Sequence, residues 1–155
     1  MNATVAVRRG DPDDHDFVRD LGRRSATSSV SAVREARFDD VLFAFERLME
    51  FAWGRRHETL IAQENGERIG FLLMLYDIPD EVTLTEQAFV AYTAVEPHAR
   101  GRGVGRALLD AAEAHARAAG RGYISLMVTE DNAPARALYD RAGFSTERRM
   151  MTKPL

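Results

Sequence analysis

Three glycines in five residues, Gly101, Gly103 and Gly105, stand between two runs of opposite character. Before them, Gln87 to Val95 is apolar on both alternating faces and reads as a strand covered from both sides. After them, Val104, Leu108, Ala112 and Ala116 repeat at helical spacing, which predicts a helix over Gly103–Ala119 with Gly120 as its C′ residue. A buried strand that turns through glycines into a helix points to sheet-and-helix architecture, because the helix must pack back on the sheet. The next strand-like run, Tyr123–Thr129, is then expected parallel to the first through a right-handed crossover.

The rest of the chain fits around that unit. Thr4–Arg8 alternates as a first strand. Asp11-Pro12 reads as N-cap and first helical residue, with Phe17, Val18 and Leu21 as the helix's apolar stripe. Ser25–Ala32, rich in Ser and Thr, predicts a loop or fragile helix. Phe38, Val41, Leu42, Phe45, Leu48, Met49 and Ala52 recur at helical spacing. Thr59–Gln63 and Arg68–Tyr76 flank Asn65-Gly66, a tight-hairpin signal. Asp77–Glu81 reads as a solvated acidic loop, Ala133–Ala142 as a short helix and Phe144–Thr152 as a last strand. The expected order is β-α-α-β-β-β-α-β-α-β, a mixed, mostly antiparallel sheet of about six strands with helices on both faces. With 155 residues and no internal repeat, the chain reads as a single domain, 1–155.

Composition removes whole classes of function. There is no cysteine, so disulfides, thiolate metal sites and cysteine nucleophiles are excluded. A formal net charge of −3 argues against nucleic acid as a partner. The four histidines show no metal-binding spacing, and no metal is expected. Arg8, Arg9, Asp11, Asp13 and Asp14 break any leader-like apolar run, and Phe71–Tyr76 is far too short to span a bilayer. No membrane association is expected, the location reads as cytoplasmic, and the sequon Asn2-Ala3-Thr4 reads as chance.

The glycine run also carries chemistry. Tight turning leaves amide N–H groups uncovered at a helix N-terminus, where they and the helix dipole favour an anion such as phosphate. A bare strand-to-helix turn with no ligand explains the glycines alone equally well. Other phosphate loops fit worse: Arg106 and Leu108 break the Gly-x-Gly-x-x-Gly register of dinucleotide folds, and no Gly-Lys-Ser/Thr follows. The second informative stretch is Asn132 to Phe144. There Asn132 is placed as an N-cap, Pro134 lies in the first turn, and Tyr139 stands about two turns on. Both stretches follow parallel strands, so both are expected at the strands' carboxyl ends, where ligands bind in open α/β sheets.

Together these stretches resemble the GNAT superfamily, the acetyl-CoA-dependent N-acetyltransferases. Arg100-x-x-Gly103-x-Gly105 matches that family's Arg/Gln-x-x-Gly-x-Gly/Ala pyrophosphate motif. Asn132 to Phe144 matches its Asn-x-x-Ala-x-x-Leu-Tyr-x-x-x-Gly-Phe segment. The resemblance implies that the amides of Gly101, Arg102, Gly103, Val104, Gly105 and Arg106 hold the pyrophosphate of acetyl-CoA, with Arg100 and Arg102 adding positive charge. It implies that the strand ending at Val95 splays from its neighbour and pairs with the pantetheine arm. Asn132 would hydrogen-bond that arm, and Tyr139 would be the general acid at the thioester sulfur. The acceptor amine, a small molecule or a protein amine, would enter over Ser25–Ser31 and the second helix. The family is often dimeric, which implies a homodimer.

The general base is not marked by the motifs. Many relatives carry a Glu on the central strand, whereas Gln87–Val95 holds no carboxylate or histidine. Glu86, at its start, and Glu130, past the next strand, are the candidates, with water relayed through Tyr92 as a third route. An α-amine, with a reference pKa of about 7.7–8.0, needs less help than a lysine near 10.4. The missing strand carboxylate also supports an alternative, a non-catalytic acyl-CoA sensor on the same fold; Tyr139 favours the enzyme.

Overall fold

The computed structural model describes residues 4–155, so Asn2 and Ala3 of the sequon lie outside the described residues. Five strands form one sheet in the order β1-β2-β3-β4-β5: β1 Ala6–Arg9, β2 His57–Glu64, β3 Glu67–Leu75, β4 Ala88–Val95 and β5 Ile124–Leu126. Neighbours are antiparallel except β4 and β5, which are parallel as the crossover requires. The β2–β3 hairpin turns at Asn65 (φ 51°) and Gly66 (φ 81°). Both angles are positive, as the tight two-residue turn demands.

Four helices cover the two faces: α1 His15–Ser25, α2 Phe38–Trp53, α3 Val104–Ala118 and α4 Ala133–Arg141. On the side of α3 and α4, Leu60, Leu72, Met74, Val90, Leu108 and Ala112 make one buried cluster. On the side of α1 and α2, Ile61, Phe71, Leu73, Val18, Leu21 and Met49 make the other. From Ile69 onward β3 alternates between them, which is why that stretch is apolar throughout. Each such side chain, fully buried, stabilises the fold by about 1.5–3 kcal/mol. No helix among the described residues is long and apolar enough to cross a membrane.

Ser25–Ala32 is the expected loop with a fragile helical piece, a short 3-10 helix over Ala26–Ser29. Three expectations change. The strand expected over Tyr123–Thr129 pairs only at Ile124–Leu126. The last strand expected over Phe144–Thr152 does not form, so among the described residues the sheet has five strands and ends at β5. Glu147, Arg148 and Arg149 are poor strand residues. The segment is held by side chains instead of a ladder: Arg148 pairs with Asp80, and Arg34 donates to Thr152 Oγ1 at 3.3 Å. Asp80 itself is buried, not solvated; it accepts from the amides of Val82 and Thr83 and from Arg148.

Candidate functional site

The site begins with one extra residue in β4. Against β3, Leu73 pairs with Tyr92 and Met74 with Val90, so Ala91 is a bulge with no partner of its own. Ala91 and Tyr92 consequently both pack on the α1–α2 side, where regular alternation would separate them. The pairing of β4 with β5 stops at the same place: Val90 opposite Leu126 is its last pair. Beyond it, residues 91–95 keep β3 on one side and have no strand on the other.

The orientation of that free edge follows from one hydrogen bond. The Glu96 amide donates to the Ile69 carbonyl at 2.8 Å. Antiparallel pairs alternate between bonded and non-bonded residues, so the N–H and C=O of Val95, and by the same period of Thr93, turn outward. A side chain already uses one of these groups: Arg100 Nε donates to the Val95 carbonyl at 3.1 Å.

The glycine run closes the end of this gap. Gly101 (φ 71°) and Gly103 (φ 85°) occupy the left-handed region, which an L side chain enters only at a cost of about 1–2 kcal/mol. A Cβ on either would meet nothing within 4 Å, so the loop faces open space. The first α3 amide with a main-chain partner is that of Ala107, donating to Gly103 at 3.0 Å. Among the described residues, the amides of 101–106 have none, and they form a concave set of donors at a helix N-terminus. Gly105 serves packing as well: a Cβ there would lie 2.9 Å from Leu138 Cδ2, so α3 and α4 touch at this point.

The arginines divide their roles. Arg102 is bound to Glu64 at the end of β2. Arg106 spans Asp110 at 2.8 Å and the Arg141 carbonyl at 3.1 Å, fastening α3 to the end of α4. Its side chain is therefore engaged, and its backbone amide is among those without a main-chain partner.

α4 packs into the same buried cluster as α3, through Ala135, Leu138 and Tyr139. The Asn132 side-chain oxygen accepts from the Ala135 amide at 3.3 Å and caps the helix, which leaves its amide N–H groups for other partners. Tyr139 is 8% exposed, and its ring meets Phe144 edge to face at 5.7 Å. Its hydroxyl has no hydrogen-bond partner among the described residues, and burial pushes its pKa above the ordinary phenol value. On the other face, Tyr92 donates to the Gly22 carbonyl at 3.3 Å; burial raises its pKa and the Ser29 hydroxyl opposes the shift. Thr129 Oγ1 donates to the Ser29 carbonyl at 2.9 Å and the Ala32 amide to Asp131 at 2.7 Å, so the segment before α2 lies across the β5–α4 loop.

The two candidate bases fare differently. Glu130 lies on that loop, exposed, 3.5 Å from Arg136. Glu86 precedes β4 at the end opposite Val95, roughly 30 Å away at about 3.3 Å per residue. It is exposed and pairs with Arg121 at 3.0 Å. The bulge at Ala91 is the feature of this region that sequence reasoning missed; neither glycine nor proline marks it. Among the described residues, no group of three or more His, Asp or Glu is gathered as a metal site would require.

Comparison with known proteins agrees with this geometry. The uncharacterised N-acetyltransferase YhfO of Bacillus subtilis is 38% identical over 93 residues, covering 59% of this chain and 62% of that protein. The chain spans less than a third of the longer mycothiol acetyltransferases that it also matches. A Pyrococcus furiosus protein assigned to the acetyl transferases superposes with a TM-score of 0.82 at 27% identity, over 98% of this chain and 100% of that one. The aminoglycoside N-acetyltransferase AAC(6')-Iy, solved with CoA, shares the fold alone: TM-score 0.71 at 17% identity, over 100% and 97% of the chains. The family model described as Acetyltransferase (GNAT) family matches residues 27–144, and this chain therefore belongs to that family.

Proposed function

We propose that the protein transfers an acetyl group from acetyl-CoA to a primary amine by direct attack. The observation that carries this reading is the coincidence of three features: a strand edge with no neighbouring strand beyond Val90, the unpartnered amides of 101–106 after its end, and the unpartnered Tyr139 phenol in the same buried cluster as Val90 and Val104. The diphosphate would sit on the amides of 101–106, with Arg100 and Arg102 supplying nearby charge. The pantetheine arm would pair with the outward groups of Thr93 and Val95, displacing Arg100 from the Val95 carbonyl. Asn132 would donate to that arm. CoA held by a protein of the same fold supports this choice of donor.

Chemically, the amine nitrogen forms a bond to the thioester carbonyl carbon, and the C–S bond breaks. An outward amide of β4 near Val95 stabilises the oxyanion, and Tyr139 donates toward the departing sulfur. Complete proton transfer from a phenol near 10 to a thiolate near 8.5 runs uphill by about 1.5 units, about 2 kcal/mol. Burial of Tyr139 adds to that. The hydroxyl therefore acts as a hydrogen-bond donor to the developing thiolate, and the proton that the amine sheds completes the thiol. Glu130, on the loop before α4, would relay that proton through water; Glu86, at the far end of β4, receives no role. The reading includes a cytoplasmic location, a single domain and a homodimer.

Thiol release from acetyl-CoA across a library of amines tests the reading. Turnover with at least one amine is expected; CoA binding without turnover for any of them would favour the sensor. Gly103→Val should abolish CoA binding in calorimetry, because its side chain would enter the open cradle. Gly105→Ala, whose methyl meets only the flexible end of Leu138, should keep it. Equal CoA affinity in Gly103→Val would remove the cradle from the site.

A further inference from the structure

Lys153 is the sole lysine of the sequence; every other member of its 21 Lys+Arg is arginine. An arginine guanidinium stays protonated at any working pH and has no free lone pair with which to attack a thioester. Side-chain primary amine chemistry in this protein therefore has a single address.

That address lies beside the acceptor route. The tail 144–155 joins neither helix nor strand. Three contacts lay out its course. Phe144 meets the Tyr139 ring at 5.7 Å, Arg148 pairs with Asp80, and Arg34 donates to Thr152 Oγ1 at 3.3 Å. Arg34 stands two residues after Ala32, whose amide donates to Asp131 at 2.7 Å, and Ser29 of the same segment accepts from Thr129 at 2.9 Å. Thr152 is thus tied to the segment that lies across the β5–α4 loop, and Lys153, the next residue, is exposed. Pro154 after it disfavours helical backbone and keeps Lys153 extended. The Arg34 bond is long and exposed, so Thr152 leaves it at little cost. From Arg148, five residues reach about 17 Å when extended. The four residues of β4 from Ala88 to Tyr92 span only about 13 Å.

We propose that Lys153 is an internal acceptor: without an amine substrate, the protein acetylates its own tail. This rests on the acetyl transfer of the proposed function. The Lys153 Nζ lone pair forms a bond to the acetyl carbonyl carbon and the C–S bond breaks. The thiolate leaves as CoA and takes up the proton that Nζ sheds. An ordinary lysine amine is only about 0.1% unprotonated at pH 7.4. The tether offsets this by holding the amine at an effective concentration on the order of millimolar. The product amide is no longer a nucleophile and has lost its charge, so the step occurs once per chain.

Incubation of the full chain with acetyl-CoA and no added amine tests it. Thiol release should stop at one equivalent per chain, with the acetyl group on the tryptic peptide 150–155. The initial rate should saturate with acetyl-CoA and rise about tenfold per pH unit from 7 to 9. Lys153→Arg should release no thiol alone yet turn over an added amine within twofold of wild type. Tyr139→Phe should slow self-acetylation and amine turnover by the same factor. Gly103→Val keeps Lys153 but loses the cradle; mixed with Lys153→Arg, it should stay unmodified. Acetyl groups on its tail in that mixture would overturn the internal route. Amine turnover with Lys153 unmodified, an acetyl group only on the α-amine, or a rate strictly proportional to acetyl-CoA overturns the inference and leaves the transferase standing. Thiol release with no amine at all, Lys153 included, overturns the reading beneath it.

Discussion

Tyr139→Phe removes one oxygen and little else. The ring keeps its edge-to-face contact with Phe144, and the hydroxyl leaves no partner behind among the described residues. Folding stability should therefore stay within about 0.5 kcal/mol of wild type. Catalysis should not. A hydrogen bond to a charged group contributes about 1.5–3 kcal/mol, and one donated to a thiolate exists only once C–S cleavage has begun. That energy corresponds to a loss of roughly 10- to 150-fold in kcat. Because the interaction belongs to the transition state, kcat and kcat/KM should fall together while acetyl-CoA affinity holds. The upward shift of the phenol adds a second signature: no loss of wild-type rate from its ionisation should appear below about pH 10. Thiol release followed with a chromogenic reagent gives kcat, and calorimetry gives the affinity. A kcat within twofold of wild type would refute the assignment. A drop in acetyl-CoA affinity matching the drop in rate would make Tyr139 a binding residue instead.

Two further predictions concern the scaffold. Gly22→Ala would place a Cβ 2.1 Å from Phe45 Cζ, where α1 crosses α2. Overpacking of about 1–3 kcal/mol should outweigh the roughly 1 kcal/mol of helix propensity gained, so Tm should fall by a few degrees. Phe45→Leu in the same chain should recover part of the loss; an unchanged Tm in Gly22→Ala would refute the packing argument. Asp14 is fully buried and its pKa is held down to about 2, first by the hydrogen bond from Arg8, against its own burial, with Arg68 helping. Its folded value lies below the ordinary carboxylate value, so its contribution is present above about pH 4 and is lost as pH falls toward 2. Urea titrations over that window should show a loss of about 2 kcal/mol that Asp14→Asn lacks; equal slopes would refute it.

What the sequence disclosed was set by short-range chemistry. Asn65-Gly66 announces its hairpin because positive φ at two successive residues is a local demand. The Gly101–Gly105 turn and the Asn132 cap were legible for the same reason. The bulge was not, since register is agreed between two strands far apart in the chain, and Ala91-Tyr92 looks like any strand dipeptide. Phe144–Thr152 misled in the opposite sense: its apolar residues suggest a strand, but Arg148 is fastened to Asp80 and the ladder is never joined. Glu86 stands where the sequence puts it, at the start of the strand. It precedes β4 while the glycine run follows it, and the strand's own length separates them.

The surplus residue at position 91 leaves the faces of its neighbours untouched. Val90 opposite Met74 and Tyr92 opposite Leu73 are the pairs that a strand without it would also make, so its removal would keep Tyr92 toward α1 and Val95 toward α3. What the insertion adds is a local bend and extra twist in β4 at the residue where its pairing with β5 ends, so a strand shortened by that residue should run straighter past Leu126 while every side chain keeps its side.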